Sequence, residues 1–264
     1  MKIGFLGCGN MGGALCRAVR RALPEATLLL SDANAEKRDA LAEATSGEVR
    51  TSEAMLLEAD YVFLGLKPQV LPTALADLST AVASSSATFI SMAAGVPIAS
   101  LLEMLPGKAI IRIMPNTPVE VGMGMTVFTP SSLVTETAKA DFLSMMQASG
   151  RLDEIPEELM DAACSVSGCG PAFAYLFVNA LAEGGAAAGL TFPQALSYAA
   201  ATVAGAMKMV EVTGRHPKAL SDAVCSPGGS TLAGVGALNE GHFHETVMSA
   251  VLAAYKRTLE LGKK

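Results

Sequence analysis

A glycine-rich segment near the start of the chain has the spacing of a dinucleotide-binding loop. It reads GCGNMG over residues 7–12, directly after the strand-like segment Lys2–Leu6 and directly before a helical pattern. In this setting the first glycine permits a tight turn, the second lets the backbone approach a pyrophosphate, and the third lets helix and strand pack closely. The N–H groups at the start of the helix would face the phosphates. The expected cofactor contacts in this segment are Gly7, Gly9, Asn10 and Met11.

The end of the second predicted strand carries the residues that should face the adenosine ribose. Ser31 and Asp32 stand there, and an acidic residue about 20 positions beyond the glycines usually accepts hydrogen bonds from the ribose, which favours NAD. Asn34, Lys37 and Arg38 follow and would be able to contact the 2′-phosphate of NADP, although Lys37 and Arg38 also suit a solvated helix face. We expect Ser31 and Asp32 to contact the cofactor, and these residues leave NAD and NADP open.

Further strand ends should face the cofactor, because ligands of parallel α/β sheets bind outside the carboxyl ends of the strands. The segments GLKP at 65–68 and MAAG at 92–95 follow predicted strands, and the small residues of the second would let a flat nicotinamide ring approach the backbone. Asn116 offers donors and an acceptor to a carboxamide or substrate, whereas we interpret Arg112 as part of a structural ion pair. The expected contacts are Leu66, Lys67, Pro68, Ala93, Ala94, Gly95 and Asn116.

A second segment with potential chemistry lies in the C-terminal half. Residues 227–231 read PGGST and precede a helical pattern, so several backbone N–H groups are left without partners and suit a carboxylate. The hydroxyl of Thr231 can both donate and accept a hydrogen bond. An alternative is that Ser230 or Thr231 merely caps the helix. Cys225 lies beside the segment, but the sequence indicates nothing that would activate its thiol.

The elements around these segments predict an α/β protein with two parts. Short apolar runs alternate with helical patterns in the first half, which is typical of parallel strands joined by crossover helices. After Pro156 only helical patterns occur. We expect an N-terminal Rossmann-type, doubly wound parallel sheet at 1–155 and an all-helical C-terminal domain, for substrate binding and dimerisation, at 156–264. The predicted strands are Lys2–Leu6, Thr27–Leu30, Tyr61–Leu64, Thr88–Ser91, Ala109–Ile113, Gly124–Thr129 and Arg151–Ile155.

The composition excludes some classes of partner. Of the 264 residues 51% are hydrophobic, enough for a sizeable core, and the net charge of −6 disfavours nucleic acid and anionic membranes. The stretch Pro171–Leu190 is apolar enough to look membrane-like, but Glu183 lies within it, so we interpret it as a buried helix. Its small residues, including Ala182 and Gly185, would allow close helix packing within the chain or across a dimer.

Three further features bear on compartment and metals. The five cysteines are odd in number and lack CxxC spacing, which favours a reducing cytoplasm over a disulfide framework. Met1 leads straight into a strand-like segment without a signal-peptide pattern. His242 and His244 are two positions apart and would diverge on a helix, so no metal site is expected.

Six motifs together resemble the pyrroline-5-carboxylate reductase family along essentially the whole chain. The resemblance implies an N-terminal domain that binds NADPH, with NADH as a weaker alternative, and a helical domain that forms an intertwined homodimer, in several members part of a decamer. The active site would then combine one subunit's nucleotide domain with helices of its partner. The motifs are GCGNMG at 7–12, LKP at 66–68, AAG at 93–95, MPNTP at 114–118, SGCGPA at 167–172 and VCSPGGSTLAGVGALN at 224–239.

The resemblance also implies the reaction, which is hydride transfer to the C=N bond of 1-pyrroline-5-carboxylate to give L-proline. Backbone amides near Gly229 would bind the substrate carboxylate, and Thr231 would be the catalytic residue, hydrogen-bonded to the ring nitrogen. The family varies around residues 31–34, and Asp32 in this chain argues against the family's usual preference for NADPH. The implied substrate-binding residues are Cys225, Ser226, Gly228, Gly229, Ser230 and Thr231.

Two other functions fit parts of the sequence. A 3-hydroxyacid dehydrogenase shares the layout but needs a general base, and that family places a lysine on the helix that here begins near Pro171 and carries none. A non-catalytic nucleotide sensor would keep the glycine loop without needing the segment 227–231.

Overall fold

The computed structural model describes residues 1–261 of the chain. Its contacts divide the chain into two compact units, the first made of Met1–Cys169 with the chain from Ala254 onwards and the second of Gly170–Ala253. The predicted change of class after residue 155 lies just beyond the last strand, Gly150–Glu154. The domain boundary at 155/156 itself remains a prediction, since the first unit continues to Cys169.

The first unit is built on an eight-stranded sheet with the order β3-β2-β1-β4-β5-β6-β7-β8. All neighbouring strands are parallel except β6 and β7, which are antiparallel. The predicted Rossmann-type parallel sheet is thus confirmed for all but this one pair. The connection 115–123 between β6 and β7 is too short for a crossover helix, and this forces the antiparallel direction. The strands are β1 Lys2–Leu6, β2 Thr27–Ser31, β3 Glu48–Val49, β4 Tyr61–Leu64, β5 Thr88–Ser91, β6 Ile110–Met114, β7 Gly124–Pro130 and β8 Gly150–Glu154.

Helices cover both faces of the sheet, and each face has its own apolar cluster. Phe5 and Phe63 stack on one face with their ring centroids 4.7 Å apart, whereas Leu29 and Val62 belong to the cluster on the other. Burying a side chain of this size contributes roughly 1.5–3 kcal/mol, so the packing fixes the strands and therefore the loops at their carboxyl ends. The helices of this part are α1 Asn10–Ala22, α2 Ala35–Thr45, α3 Ser52–Glu58, α4 Leu71–Asp77, α5 Ser79–Ser84, α6 Ile98–Met104 and α7 Glu136–Met146.

The chain after β8 is helical in the described residues up to 261. A short 3-10 turn, Glu157–Leu159, leads into α8, Met160–Ala163, and then into a π-helical segment, Cys164–Gly168. π-helical segments are rare and often lie at functional sites. The remaining helices are α9 Gly170–Ala187, α10 Phe192–Thr213, α11 Pro217–Ala223, α12 Ser230–Glu240 and α13 Phe243–Leu261.

Helix α9 differs from its predicted environment. The helical stretch 157–187 is long and apolar enough to cross a membrane, yet only 6% of its most apolar window is buried within the chain. Ala182 is the buried residue of α9, whereas Tyr175 and Leu176 are 63% and 71% exposed. The single chain therefore does not bury this helix, and its predicted burial stays a prediction for contact across a dimer.

The small residues of α9 do allow a close helix contact. Helices α9 and α10 pack against each other, and a Cβ atom added at Gly185 would lie only 2.9 Å from the Cβ of Ala195. Ala182, Ala195 and Ala199 are buried at this contact. The predicted close packing of small residues is thus confirmed within the chain.

Candidate nucleotide-binding and substrate-binding sites

The glycine loop after β1 is compressed between two neighbouring backbone segments. Gly7 has φ +105°, a conformation that favours glycine, and its N–H donates to the carbonyl oxygen of Ser31 at 2.8 Å. A Cβ atom added at Gly7 would lie 2.7 Å from the carbonyl oxygen of Gly65, and one at Gly12 would lie 2.2 Å from that of Gly7. These positions therefore require glycine for packing of strand, loop and helix.

Gly9 is not held to glycine by contacts with the surrounding protein. A Cβ atom added there would meet nothing within 4 Å, so its open side is a space that the protein leaves for another group. Gly9 is the N-cap of α1 and gives no side-chain cap, so the first N–H groups of the helix point outward with the positive end of its dipole. Loop and helix start fit the pyrophosphate of a dinucleotide. A hollow beside them is lined by Cys8, Gly9, Asn10, Gly13, Arg17, Lys37, Ala40 and Leu41.

Asp32 ties the glycine loop to the turn after β2. One carboxylate oxygen accepts a hydrogen bond from the backbone N–H of Cys8 at 2.6 Å, and the other accepts from the N–H of Asn34 at 2.7 Å. Burial, reinforced by the nearby charge of Asp32, raises the pKa of the Cys8 thiol to about 12, so this thiol is neutral near pH 7. Contact between Asp32 and the ribose remains a prediction, and the structure gives the carboxylate a positioning role in addition.

The other predicted cofactor segments lie at the same edge of the sheet. Strands β1, β4 and β5 are parallel neighbours, with Leu6 opposite Leu64 and Leu64 opposite Ser91. Their carboxyl ends therefore bring the loops 7–12, 65–68 and 92–95 together. Ala94 is exposed, and Gly95 has φ +73°, so the backbone is accessible where a flat ring was expected. Leu66, Lys67, Pro68 and Ala93 belong to the same edge, and their cofactor contacts remain predictions.

Asn116 stands at this edge but is used to join protein segments. Its side-chain N–H donates to the carbonyl oxygen of Ser167 in the π-helical segment at 2.9 Å, and its side-chain oxygen accepts from the N–H of Met125 at 2.9 Å. The side chain keeps one further donor hydrogen and one lone pair, so its predicted contact with the cofactor is not tested by these bonds.

Arg112 is the structural ion pair that the sequence indicated. It is buried on β6, with a guanidinium nitrogen 2.9 Å from Glu157 and another 3.5 Å from Asp161. The same oxygen of Glu157 accepts from the N–H of Ile98, which is the first residue of α6. The pair therefore ties the helical segment 157–161 to the element that follows the loop 92–95.

The segment 225–231 opens α12 in the second unit without a side-chain cap. Gly228 has φ +69°, and Gly229 is the N-cap in extended conformation. The alternative that Ser230 or Thr231 caps the helix is wrong, because both lie inside the first turn and no side chain accepts a hydrogen bond there. The N–H groups of the first turn and the exposed Thr231 hydroxyl are thus open to a ligand.

A hollow near the end of β2 in the first unit is lined by residues that no motif indicated. Arg50, Thr51 and Ser52 line it together with the predicted Ser31 and Asp32. Arg50 directly follows the two-residue strand β3, whose residues are exposed and give no strand-like run in the sequence. The pairing of β3 with β2, which brings Arg50 to this place, is visible only in the folded sheet.

The chain resembles known proteins over its full length. The family model described as pyrroline-5-carboxylate reductase dimerisation matches residues 157–261, and the one described as NADP oxidoreductase, coenzyme F420-dependent, matches residues 2–95. A pyrroline-5-carboxylate reductase of Arabidopsis thaliana is 39% identical over 99% of this chain and 96% of its own length, and one of Synechocystis is 37% identical over 100% and 99%.

A solved structure is also similar to this chain over nearly its whole length. Pyrroline carboxylate reductase of Plasmodium falciparum, solved with NADP bound, superimposes with a TM-score of 0.88 at 30% identity and covers 99% of this chain and 98% of its own. The sequence similarity extends across both the glycine loop and the segment 225–231. The chain belongs to the pyrroline-5-carboxylate reductase family.

Proposed function

We propose that this protein reduces 1-pyrroline-5-carboxylate to L-proline, the last step of proline biosynthesis, with NADPH as the main hydride donor and NADH as a weaker one. The observation that carries the proposal is the start of α12 at Gly229 without a side-chain cap, a turn that suits a carboxylate, in a chain that also has a dinucleotide loop. A nucleotide sensor would have no use for this turn.

The proposed reaction needs little acid–base catalysis by the protein. A protonated cyclic imine is already electrophilic, and NADPH supplies the hydride that adds to the imine carbon, while the ring nitrogen keeps its proton in the product. The protein has to orient the imine and balance its carboxylate charge. The backbone N–H groups of Gly228 and Ser230 would hold the carboxylate, since the N–H of Gly229 already donates to the carbonyl oxygen of Ser226 at 3.0 Å. The Thr231 hydroxyl would hydrogen-bond the ring nitrogen.

The remaining proposed substrate contacts surround this turn. A Cβ atom added at Gly229 would lie 2.4 Å from the hydroxyl oxygen of Ser226, so this hydroxyl already lies over the loop. Cys225 is half-buried directly before it. Helix α9 carries no lysine, and this agrees with reduction of an imine rather than oxidation of a 3-hydroxyacid, which needs a base.

We infer that the protein acts as a homodimer formed through the second unit. The exposed apolar face of α9 and an apolar hollow of about 620 Å³ favour a protein partner. A second copy of the chain would supply an apolar surface of the same kind. Assembly of dimers into a decamer, and location in the cytoplasm, remain predictions; the five free cysteines support a reducing compartment. The hollow is lined by Phe173, Ala174, Leu176, Phe177, Ala180, Leu181, Leu238, Phe243, Thr246, Val247 and Ala250.

One assay tests the reaction. The purified protein is incubated with NADPH and 1-pyrroline-5-carboxylate, oxidation of the cofactor is followed by absorbance, and proline is identified by mass spectrometry. The proposal expects stoichiometric proline, with NADH supporting slower turnover. Oxidation of a 3-hydroxyacid with NADP, or nucleotide binding without turnover, would contradict it.

A further inference from the structure

A hollow beyond the end of β2 is lined by two arginines and three hydroxyl groups. It measures about 510 Å³ and lies entirely within the first unit. Asp32 is the one carboxylate of the lining, while Asp39 pairs with Arg38 and Glu48 and Glu58 pair with Arg50 beside it. Its lining consists of Ser31, Asp32, Ala33, Arg38, Val49, Arg50, Thr51 and Ser52.

The one carboxylate of this hollow is already engaged. Both oxygens of Asp32 accept hydrogen bonds from backbone N–H groups, those of Cys8 and Asn34. Amides that donate to a carboxylate stabilise its charge and reduce its effect on a neighbouring anion. Asp32 is therefore less of an obstacle to a phosphate than its charge alone suggests.

The two arginines keep donors for a ligand. Arg50 uses one N–H of each guanidinium nitrogen, toward Glu48, Glu58 and the carbonyl oxygen of Val49, and this leaves two of its five N–H groups. Arg38 uses only its Nε, toward Asp39 at 2.8 Å, and this leaves four. The hydroxyls of Ser31 and Ser52 are 2.9 Å apart, so one donates to the other and one hydrogen remains for a ligand.

Given the proposed use of NADPH, we propose that Arg50, together with Arg38, binds the 2′-phosphate of NADPH in this hollow and sets the preference for NADPH over NADH. A phosphate monoester carries close to two negative charges near neutral pH, and the planar fork of arginine suits its oxygens. The hydroxyls of Ser31 and Ser52 complete the site. Arg50 is a specificity-determining residue, since an unphosphorylated ribose offers it no anion.

Glu48 makes the site adjustable. Its carboxylate contacts an Arg50 guanidinium nitrogen and competes with a phosphate for the same donors. Both side chains are partly exposed, so the pair itself is weak. Removing the charge of Glu48 should therefore strengthen phosphate binding, an effect opposite in sign to the removal of Arg50.

Titration calorimetry with adenosine 2′,5′-bisphosphate and with 5′-AMP separates the 2′-phosphate from the rest of the nucleotide. We expect Arg50→Ala to weaken the bisphosphate roughly 10-fold or more while 5′-AMP changes less than about twofold. Glu48→Gln should tighten the bisphosphate by roughly two- to fivefold. Arg151→Ala is the charge-matched control, because Arg151 is exposed on β8, at the opposite edge of the sheet from β3.

Each outcome decides the question. An equal loss for both nucleotides in Arg50→Ala, or no loss, overturns the assignment; Arg50→Lys, which keeps the charge and disturbs the fold least, should retain part of the preference if Arg50 contacts the phosphate. Failure of the proposed reaction is distinguishable, because a protein that does not reduce 1-pyrroline-5-carboxylate would still show the bisphosphate preference. A wild type that binds both nucleotides equally overturns the inference even if proline is formed.

Discussion

The two units of the chain differ in where their apolar side chains lie. In Met1–Cys169, large side chains such as Phe5, Phe63 and Phe89 are fully buried, and the loops they position are complete within one chain. In Gly170–Ala253 the buried hydrophobic residues are only Ala182, Ala195 and Ala199. The first unit therefore builds its own core, whereas the second unit has to complete its core with another surface.

Exposure of large apolar side chains in the second unit costs free energy. A large apolar side chain contributes roughly 1.5–3 kcal/mol when it moves from water into a core, and the second unit leaves such side chains as Leu176, Met207 and Leu252 more than half exposed. Association of two copies would recover this energy. Nucleotide binding should therefore tolerate loss of the partner, whereas turnover should not.

The largest effect should come from placing a charge on the exposed face of α9. Leu176→Asp should weaken self-association by roughly 10³-fold or more, because each copy would bury an unpaired carboxylate, and turnover should be lost with it. Size-exclusion chromatography with light scattering measures the association, and calorimetry with adenosine 2′,5′-bisphosphate should show nearly unchanged binding.

The matched control lies in the first unit. Leu133 is also about half exposed, at 51%, and Leu133→Asp should leave both assembly and turnover nearly unchanged. A Leu176→Asp protein that stays dimeric, or that loses nucleotide binding as strongly as turnover, would contradict the contrast between the units.

The next effect should come from the hydroxyl at the start of α12. Thr231→Ala should lower kcat/KM by roughly 10²-fold, since a hydrogen bond to the reacting imine is lost, while Thr231→Ser keeps the hydroxyl and most of the activity. Steady-state kinetics with 1-pyrroline-5-carboxylate measures this, and Kd for NADPH should stay within about twofold. Near-normal turnover of Thr231→Ala, or a loss mainly in NADPH affinity, would exclude the assigned role.

Within the first unit, substitutions of two glycines should separate an effect on nucleotide binding from an effect on stability. Gly9→Ala adds a methyl group to open space, so Tm should change little while nucleotide affinity falls roughly 10-fold. Gly12→Ala places a methyl group 2.2 Å from the carbonyl oxygen of Gly7, so Tm itself should fall by roughly 5 °C or more. Thermal unfolding with and without NADPH tests both, and equal Tm losses in the two variants would refute the distinction.

How much of the fold the sequence predicts depends on burial. Strand Tyr61–Leu64 has the predicted bounds, because a strand covered on both faces is a continuous apolar run. Strand Glu48–Val49 has no such signal, since both residues are exposed and only their pairing with Leu29 and Leu30 makes them a strand. The strand was missed, and with it the position of Arg50.

In the candidate sites, too, features that are local in sequence were predicted, whereas features that depend on the folded sheet were not. The glycine loop and the segment 225–231 are local in sequence, so residue type and order indicated both. The hydrogen bonds of Asp32 to Cys8 and Asn34 depend on how two strands end side by side, and spacing alone suggested only a ribose contact. For α9 the sequence gives hydrophobicity without the identity of the covering surface, which is why burial was expected while contact within the chain and contact across a dimer both stayed open.

The smallest effect concerns Asp32, for which sequence and structure suggest different results. Asp32→Asn keeps one acceptor and turns an N–H group toward a backbone N–H, so the glycine loop should loosen and both adenosine 2′,5′-bisphosphate and 5′-AMP should bind roughly three- to tenfold more weakly. Their ratio should stay within about twofold, since the carboxylate positions the loop that both nucleotides use. If Asp32 instead selects NADH through the ribose, 5′-AMP would weaken while the bisphosphate tightened. Calorimetry decides between the two, with Asp153→Asn on exposed β8 as the charge-matched control, and a shift in the ratio would restore the ribose contact as the main role of Asp32.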